Sequence, residues 1–143
     1  MTIDEKNGFI KRVESVEQTD KAKFGQMNVN QMICHCTDQL RMAFGEVEGL
    51  RIQKIDFAAL KEKMAKGETV PTVDGLDQLA GEGTKPAAFE NDKMTLIAYI
   101  EKFFDSGDEA PFHFHPYFGE MNKEKWNRLV LHHLNHHLAQ FGR

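Results

Sequence analysis

LVLHHLNHHLAQF, residues 129–141, carries four of the seven histidines in the chain: His132, His133, His136 and His137. Residues four apart stack on one face of a helix. The run therefore offers two pairs, His132 with His136 and His133 with His137. The apolar pattern chooses between them. Trp126, Val130, Leu134, Leu138 and Phe141 recur at helical spacing and predict a buried stripe. At about 100° per residue, His133 and His137 fall inside or beside that stripe, whereas His132 and His136 turn toward solvent or the edge of a bundle. Two imidazoles on an apolar face cannot both be charged cheaply, because burying unpaired charge is costly. A divalent ion that takes a lone pair from each removes the problem, so His133 and His137 are the expected ligands. Histidines so placed also occur as ordinary core or surface residues, and a third imidazole elsewhere is what the metal reading needs.

The chain supplies one upstream, in FGQMNVNQMICHCTDQLRMAFGEVEG, residues 24–49. Asn28 is a good helix N-cap and Gln31 completes a capping box. Val29, Met32, Ile33, Cys36, Leu40, Ala43 and Phe44 trace the apolar face of a helix running to about Glu46, with Gly49 as its stop. His35 lies beside Gln39 on one flank of that face, where it can reach a site opening at the side of a bundle. FGQMN at 24–28 is echoed by FGEMN at 118–122, and each precedes a histidine-bearing helix. The echo reads either as a shared helix-entry device of turn, staple and cap, or as the mark of two related helices with a site between them.

At 143 residues the chain fits one domain, residues 1–143, with a real core. Its net charge of -4 argues against a nucleic-acid or anionic-membrane partner. No apolar run is long enough to span a bilayer, and the first residues lack the pattern of a signal peptide. Cys34 and Cys36, two apart on one helix, cannot pair with each other, which fits reduced thiols in the cytoplasm. Cys36 reads as a core residue and Cys34 as the more exposed of the two.

The remaining elements follow from periodicity. Asp4 to about Val16 reads as a first helix and Phe57–Met64 as a short one. Glycines and prolines punctuate Lys66 to Phe89, which reads as a long excursion with little regular structure. A further helix begins at Asp92 and ends at Ser106-Gly107. The last is capped by Asn122 and stopped by Gly142. The expected fold is all-α: a four-helix bundle with a long irregular connection between its second and third bundle helices.

Three neutral imidazoles, His35, His133 and His137, would bind Zn, Ni, Fe or Mn as a divalent ion and leave coordination positions open. Open positions belong to catalytic sites, where the ion activates water or holds a thiolate or a carbonyl. Gln39, Asn135 and Gln140 are candidates to orient the rings. His136, His115 and Asp38 are candidates for proton transfer. His113 and His115 alternate before Pro116 in an extended segment, where they face a pocket mouth or are plain loop residues.

FGQMNVNQMICH, HPYFGEMNKEKW and HHLNHHLAQFG together resemble a bacterial family of unknown function within the DinB-like (DinB/YfiT) superfamily, from about Phe9 to the C-terminus and least across Lys66 to Phe89. The resemblance implies a four-helix bundle with one histidine ligand on the second helix and two, four apart, on the last. These fall on His35, His133 and His137. In that family the last ligand commonly stands three residues before a glutamine, as His137 stands before Gln140. Some relatives are similar to metal-dependent transferases that use low-molecular-weight thiols. Two functions follow as expectations. One is a metal-dependent transferase or hydrolase acting on a small-molecule substrate, with or without such a thiol. The other is a non-catalytic metal- or small-molecule-binding bundle working as a homodimer, with Phe112, Phe114, Tyr117 and Phe118 as an exposed apolar patch.

Overall fold

Five α-helices and one short 3-10 turn make up the regular structure of a computed structural model that describes residues 2–53, 55–68 and 71–143. No strand occurs among these residues; His115 and Gly119 form an isolated antiparallel bridge. Helix α1 (Ile3–Ser15) opens on a reciprocal cap, in which the Thr2 hydroxyl accepts from Glu5 N at 3.1 Å and Glu5 Oε2 accepts from Thr2 N at 2.9 Å. Helix α2 (Val29–Ala43) opens the same way, with Asn28 accepting from Gln31 N at 2.8 Å and Gln31 accepting from Asn28 N at 2.9 Å. Helix α5 (Lys123–Gln140) is capped by Asn122, which accepts from Lys125 N at 2.9 Å. The FGxMN echo is thus a helix-entry device at both sites: Asn28 and Asn122 cap, and Met27 and Met121 pack against the core.

The ends of two helices differ from expectation for local reasons. Helix α2 stops at Ala43, not near Glu46, because Gly45 takes a left-handed conformation with φ 71°. Gly45 N then donates to Met42 O at 3.0 Å and Glu46 N to Arg41 O at 2.9 Å, closing the last carbonyls before Gly49 is reached. Helix α4 (Phe89–Asp105) starts ahead of Asp92. Its N-cap, Ala88, makes no side-chain bond, and Asp92 reaches back from inside the first turn to accept from Ala87 N at 2.9 Å. Helix α3 (Phe57–Ala65) matches the expected short helix to within a residue.

Helix α2 packs against both α4 and α5, and α1 packs against the same two. Their facing stripes bury Trp126, Val130, Leu134 and Leu138 of α5 and its C-cap Phe141 with Met32, Ile33 and Leu40 of α2 and Leu96, Ile100 and Phe103 of α4 in one cluster. Each large apolar side chain so buried stabilises the fold by roughly 1.5–3 kcal/mol. Trp126 keeps its polar edge satisfied by donating Nε1–H to His113 O at 3.0 Å. No helix among the described residues is long and apolar enough to cross a membrane.

The excursion expected over Lys66 to Phe89 holds one regular piece, the 3-10 turn Gln78–Ala80, packed on α2; Thr69 and Val70 lie outside the described residues. Long-range polar contacts hold the segment in place. Asp38 of α2 accepts from Thr84 N at 3.0 Å and from Thr84 Oγ1 at 2.6 Å, and Tyr117 Oη donates to Thr72 O at 3.0 Å.

Two expectations are corrected by this packing. Cys34 is as buried as Cys36, because α4, α5 and the 3-10 turn leave α2 little free surface. Burial, with help from Asp92 and Asp38, pushes the Cys34 thiol up to about 12. The aromatic segment is not an exposed patch either. Tyr117 is buried, Phe114 and Phe118 are half-buried, and Phe112 packs on Phe44 and Phe103 with ring centroids 5.7 and 5.5 Å away.

Candidate metal centre

His35 on α2 meets His133 and His137 on α5 across the helix–helix contact. One ligating atom from each of the three lies within 4.8 Å of the other two. The rings are in mutual contact, with centroids 4.6 Å apart for His35 and His133, 4.5 Å for His35 and His137, and 4.4 Å for His133 and His137. His35 Nε2 and His133 Nε2 stand 2.8 Å apart. Two lone pairs that close repel, so a proton on one ring or an ion between them must settle the pair.

Burial holds all three rings neutral. It is the first cause of the lowered pKa of each; His133 lies well below the ordinary histidine value and His137 falls to about 3. Neighbouring imidazoles lower His133 and His137 further, while Asp38 and Asp77 pull His35 partly back. Neutral imidazoles are what a metal ion requires.

The ring orientations are partly preset. His137 Nδ1–H donates to Gln140 Oε1 at 2.8 Å, which leaves its Nε2 as the free lone pair. Gln140 itself is buried and lies close under Gly25: a Cβ there would stand 2.6 Å from Gln140 Nε2. The Nδ1 of His133 is buried without a hydrogen-bond partner. Gln39 lines the same space but bonds no ring among the described residues, and Asn135 instead accepts from Arg12 Nη1 at 2.5 Å.

The three-nitrogen set fits a divalent transition ion. Two nitrogens about 2.0–2.1 Å from zinc in a tetrahedron lie about 3.4 Å apart, so the His35–His133 pair need open by only about half an ångström. Among the described residues no fourth protein ligand joins the three imidazoles, so an ion held there would keep positions open toward the pocket.

A pocket of about 280 Å³ stands over the histidines. Met27, Met42, Val73, Leu76 and Leu129 supply its apolar wall, and Gln26, Gln78, Asp77 and Thr72 supply polar groups. The candidates for proton transfer all line it. His136 is half-buried, with its ring 5.6 Å from that of Phe24. His132 is exposed at the same rim. Asp38 is buried with both oxygens engaged by Thr84, and Gln78 Nε2 is 3.4 Å away. His115 is buried in the wall, whereas His113 lies outside the pocket against Gly45. Periodicity did not foresee the wall supplied by residues 71–79, whose placement depends on contacts such as Tyr117 Oη to Thr72 O.

The model of a protein family, described as a protein of unknown function (DUF1569), matches residues 1–143. None of the curated proteins and none of the solved structures matches the chain.

Proposed function

The chain belongs to DUF1569, a family of unknown function, and from that premise we propose that it is a DinB-like metal protein with a catalytic pocket. In this reading α1, α2, α4 and α5 form the four-helix bundle. His35, His133 and His137 hold one divalent ion, zinc, nickel, iron or manganese, at the floor of the pocket. The observation that carries the reading is the convergence of three neutral imidazoles beneath an open space large enough for a small molecule. A filled, dry core over the histidines would have favoured a non-catalytic bundle instead.

Bound there, a divalent ion would supply Lewis acidity to water, a small thiol or a substrate carbonyl. The chain's own residues would do the rest. Gln140 would hold the His137 ring by its Nδ1–H and leave Nε2 free for the ion. The apolar wall excludes bulk water, which strengthens electrostatic interactions inside the pocket. His136, at the rim and next to the ligand His137, is placed to accept or return a proton. The reaction class is transfer to, or hydrolysis of, an electrophilic small molecule.

Elemental analysis of the untagged protein beside a His133→Ala, His137→Ala double variant tests the centre. About one divalent ion per chain in the native protein, lost in a double variant that keeps its helical spectrum, is the expected result. A native protein that takes up none of the four metals on reconstitution would overturn it.

A further inference from the structure

His115 is built into the pocket wall more rigidly than a loop histidine needs to be. Its backbone is bonded to Gly119 in both directions, N to O and O to N, at 2.8 Å each. Its ring is packed by Phe118, Tyr117 and Trp126, with centroids 4.7, 5.4 and 5.6 Å away. The residue is only 4% exposed, yet it lines the space over the three histidines. Its Nδ1 accepts from the backbone N–H of Tyr117 at 3.0 Å. A ring nitrogen that accepts carries no proton, so the proton of the neutral ring sits on Nε2. Nε2 has no hydrogen-bond partner among the described residues. The result is a neutral N–H donor whose tautomer is dictated by the main chain, on a residue that lines the pocket.

We propose that His115 is the residue that orients the bound small molecule, donating Nε2–H to an oxygen acceptor, a carbonyl or carboxylate, on a molecule held at the three-histidine centre. This role rests on the metal-centre reading and deepens it. It also removes His115 from the candidates for proton transfer. Protonating Nδ1 would break the bond from Tyr117 N–H and place a charge among three aromatic rings, and burial alone pushes the ring down to about 4. A donor that stays neutral polarises an oxygen without giving its proton away, as a positioned hydrogen bond to developing negative charge should. The ligand it selects carries one oxygen acceptor beside a small apolar body that fits Met27, Met42, Val73, Leu76 and Leu129.

The test uses the cobalt-loaded protein and acetohydroxamate, a small oxygen chelator, with affinity read from the visible spectrum of the cobalt. His115→Phe keeps the aromatic packing and removes the donor, whereas His115→Gln restores an N–H near the same place. Expected is equal cobalt content in all three proteins, with acetohydroxamate binding weakened about tenfold in the Phe variant and within about threefold of native in the Gln variant. Imidazole nitrogen spectra of the metal-free protein should show His115 as the Nε2–H tautomer from about pH 5 to 8. A Phe variant that binds the chelator as well as native, or a ring found as the Nδ1–H tautomer or the imidazolium, would overturn the role of His115 while leaving the metal centre standing. A native protein that takes up neither cobalt nor any of zinc, nickel, iron and manganese, read separately by elemental analysis, overturns the centre and this role with it.

Discussion

His137 and Gln140, three residues apart at the end of α5, are joined ring to amide: Nδ1–H donates to Oε1 at 2.8 Å, and both side chains are buried. The bond decides which nitrogen of His137 is free. Gln140→Leu removes the acceptor at nearly constant volume, so the ring can rotate or change tautomer. Loss of such a partner typically costs 10–100-fold in metal affinity. Competition against a coloured chelator should show a weakening of that order in the Leu variant and a smaller one in Gln140→Glu, which keeps an acceptor. Equal affinity in all three would mean that Gln140 only fills space.

Gly25 carries a second, indirect hold on the same ring. Its φ of 82° is one that L side chains rarely adopt, and a Cβ there would press on Gln140 Nε2. Gly25→Ala should therefore cost about 1–2 kcal/mol in chemical denaturation for the left-handed backbone. It should also weaken metal binding by pushing Gln140 away from His137. A variant that loses stability but binds metal as tightly as native would show that the amide finds another path around the methyl group.

The parts of this molecule that could be read in advance are those governed by local periodicity. The stripe Trp126, Val130, Leu134, Leu138 and Phe141 is buried as its spacing requires, and the same azimuths placed His133 and His137 toward the site. His35 was harder, because it sits on the flank of α2, where the period alone does not name it; it entered only as the third imidazole that the pair on α5 needs. Helix ends shifted where one residue's backbone decided the matter, as Gly45 does for α2. Residues 71–88 were opaque for a different reason. Their order comes from single bonds to distant residues, Thr84 to Asp38 and Thr72 to Tyr117, which leave no repeating signature.

Asp38 is the anchor of that segment, and its removal should show it. Its two oxygens take Thr84 N and Thr84 Oγ1, with Arg41 Nη1 3.7 Å away, and the carboxylate is almost wholly buried. Asp38→Ala leaves those donors without a partner, a loss of about 1–3 kcal/mol. Hydrogen exchange should speed up at Gln78 and Thr84 while the amides of α5 keep their protection. Retained metal in this variant would mark Asp38 as a structural tie, whereas lost metal would tie the segment to the integrity of the centre.

The acid sensitivity of the metal-free protein offers a separate check on His115. Burial lowers this ring from its ordinary 6.5 to about 4 in the folded chain. The unfolded chain takes up the proton near 6.5 and the folded chain only near 4, so the unfolded state binds more protons between those values. The stability contributed by the neutral ring is fully present above 6.5 and is lost as pH falls toward 4, below which the loss stops growing. At pH 5 this group's share comes to about 2 kcal/mol. His115→Phe cannot titrate, so whatever its absolute stability, its loss between pH 7 and pH 5 should be smaller than that of the native protein by about that amount. Denaturant titrations at the two pH values, on metal-free samples of both proteins, measure the difference directly. Equal losses would mean that the folded chain accepts the proton at His115 near its ordinary pH, and the ring would then be an imidazolium in the pocket wall and not a fixed neutral donor.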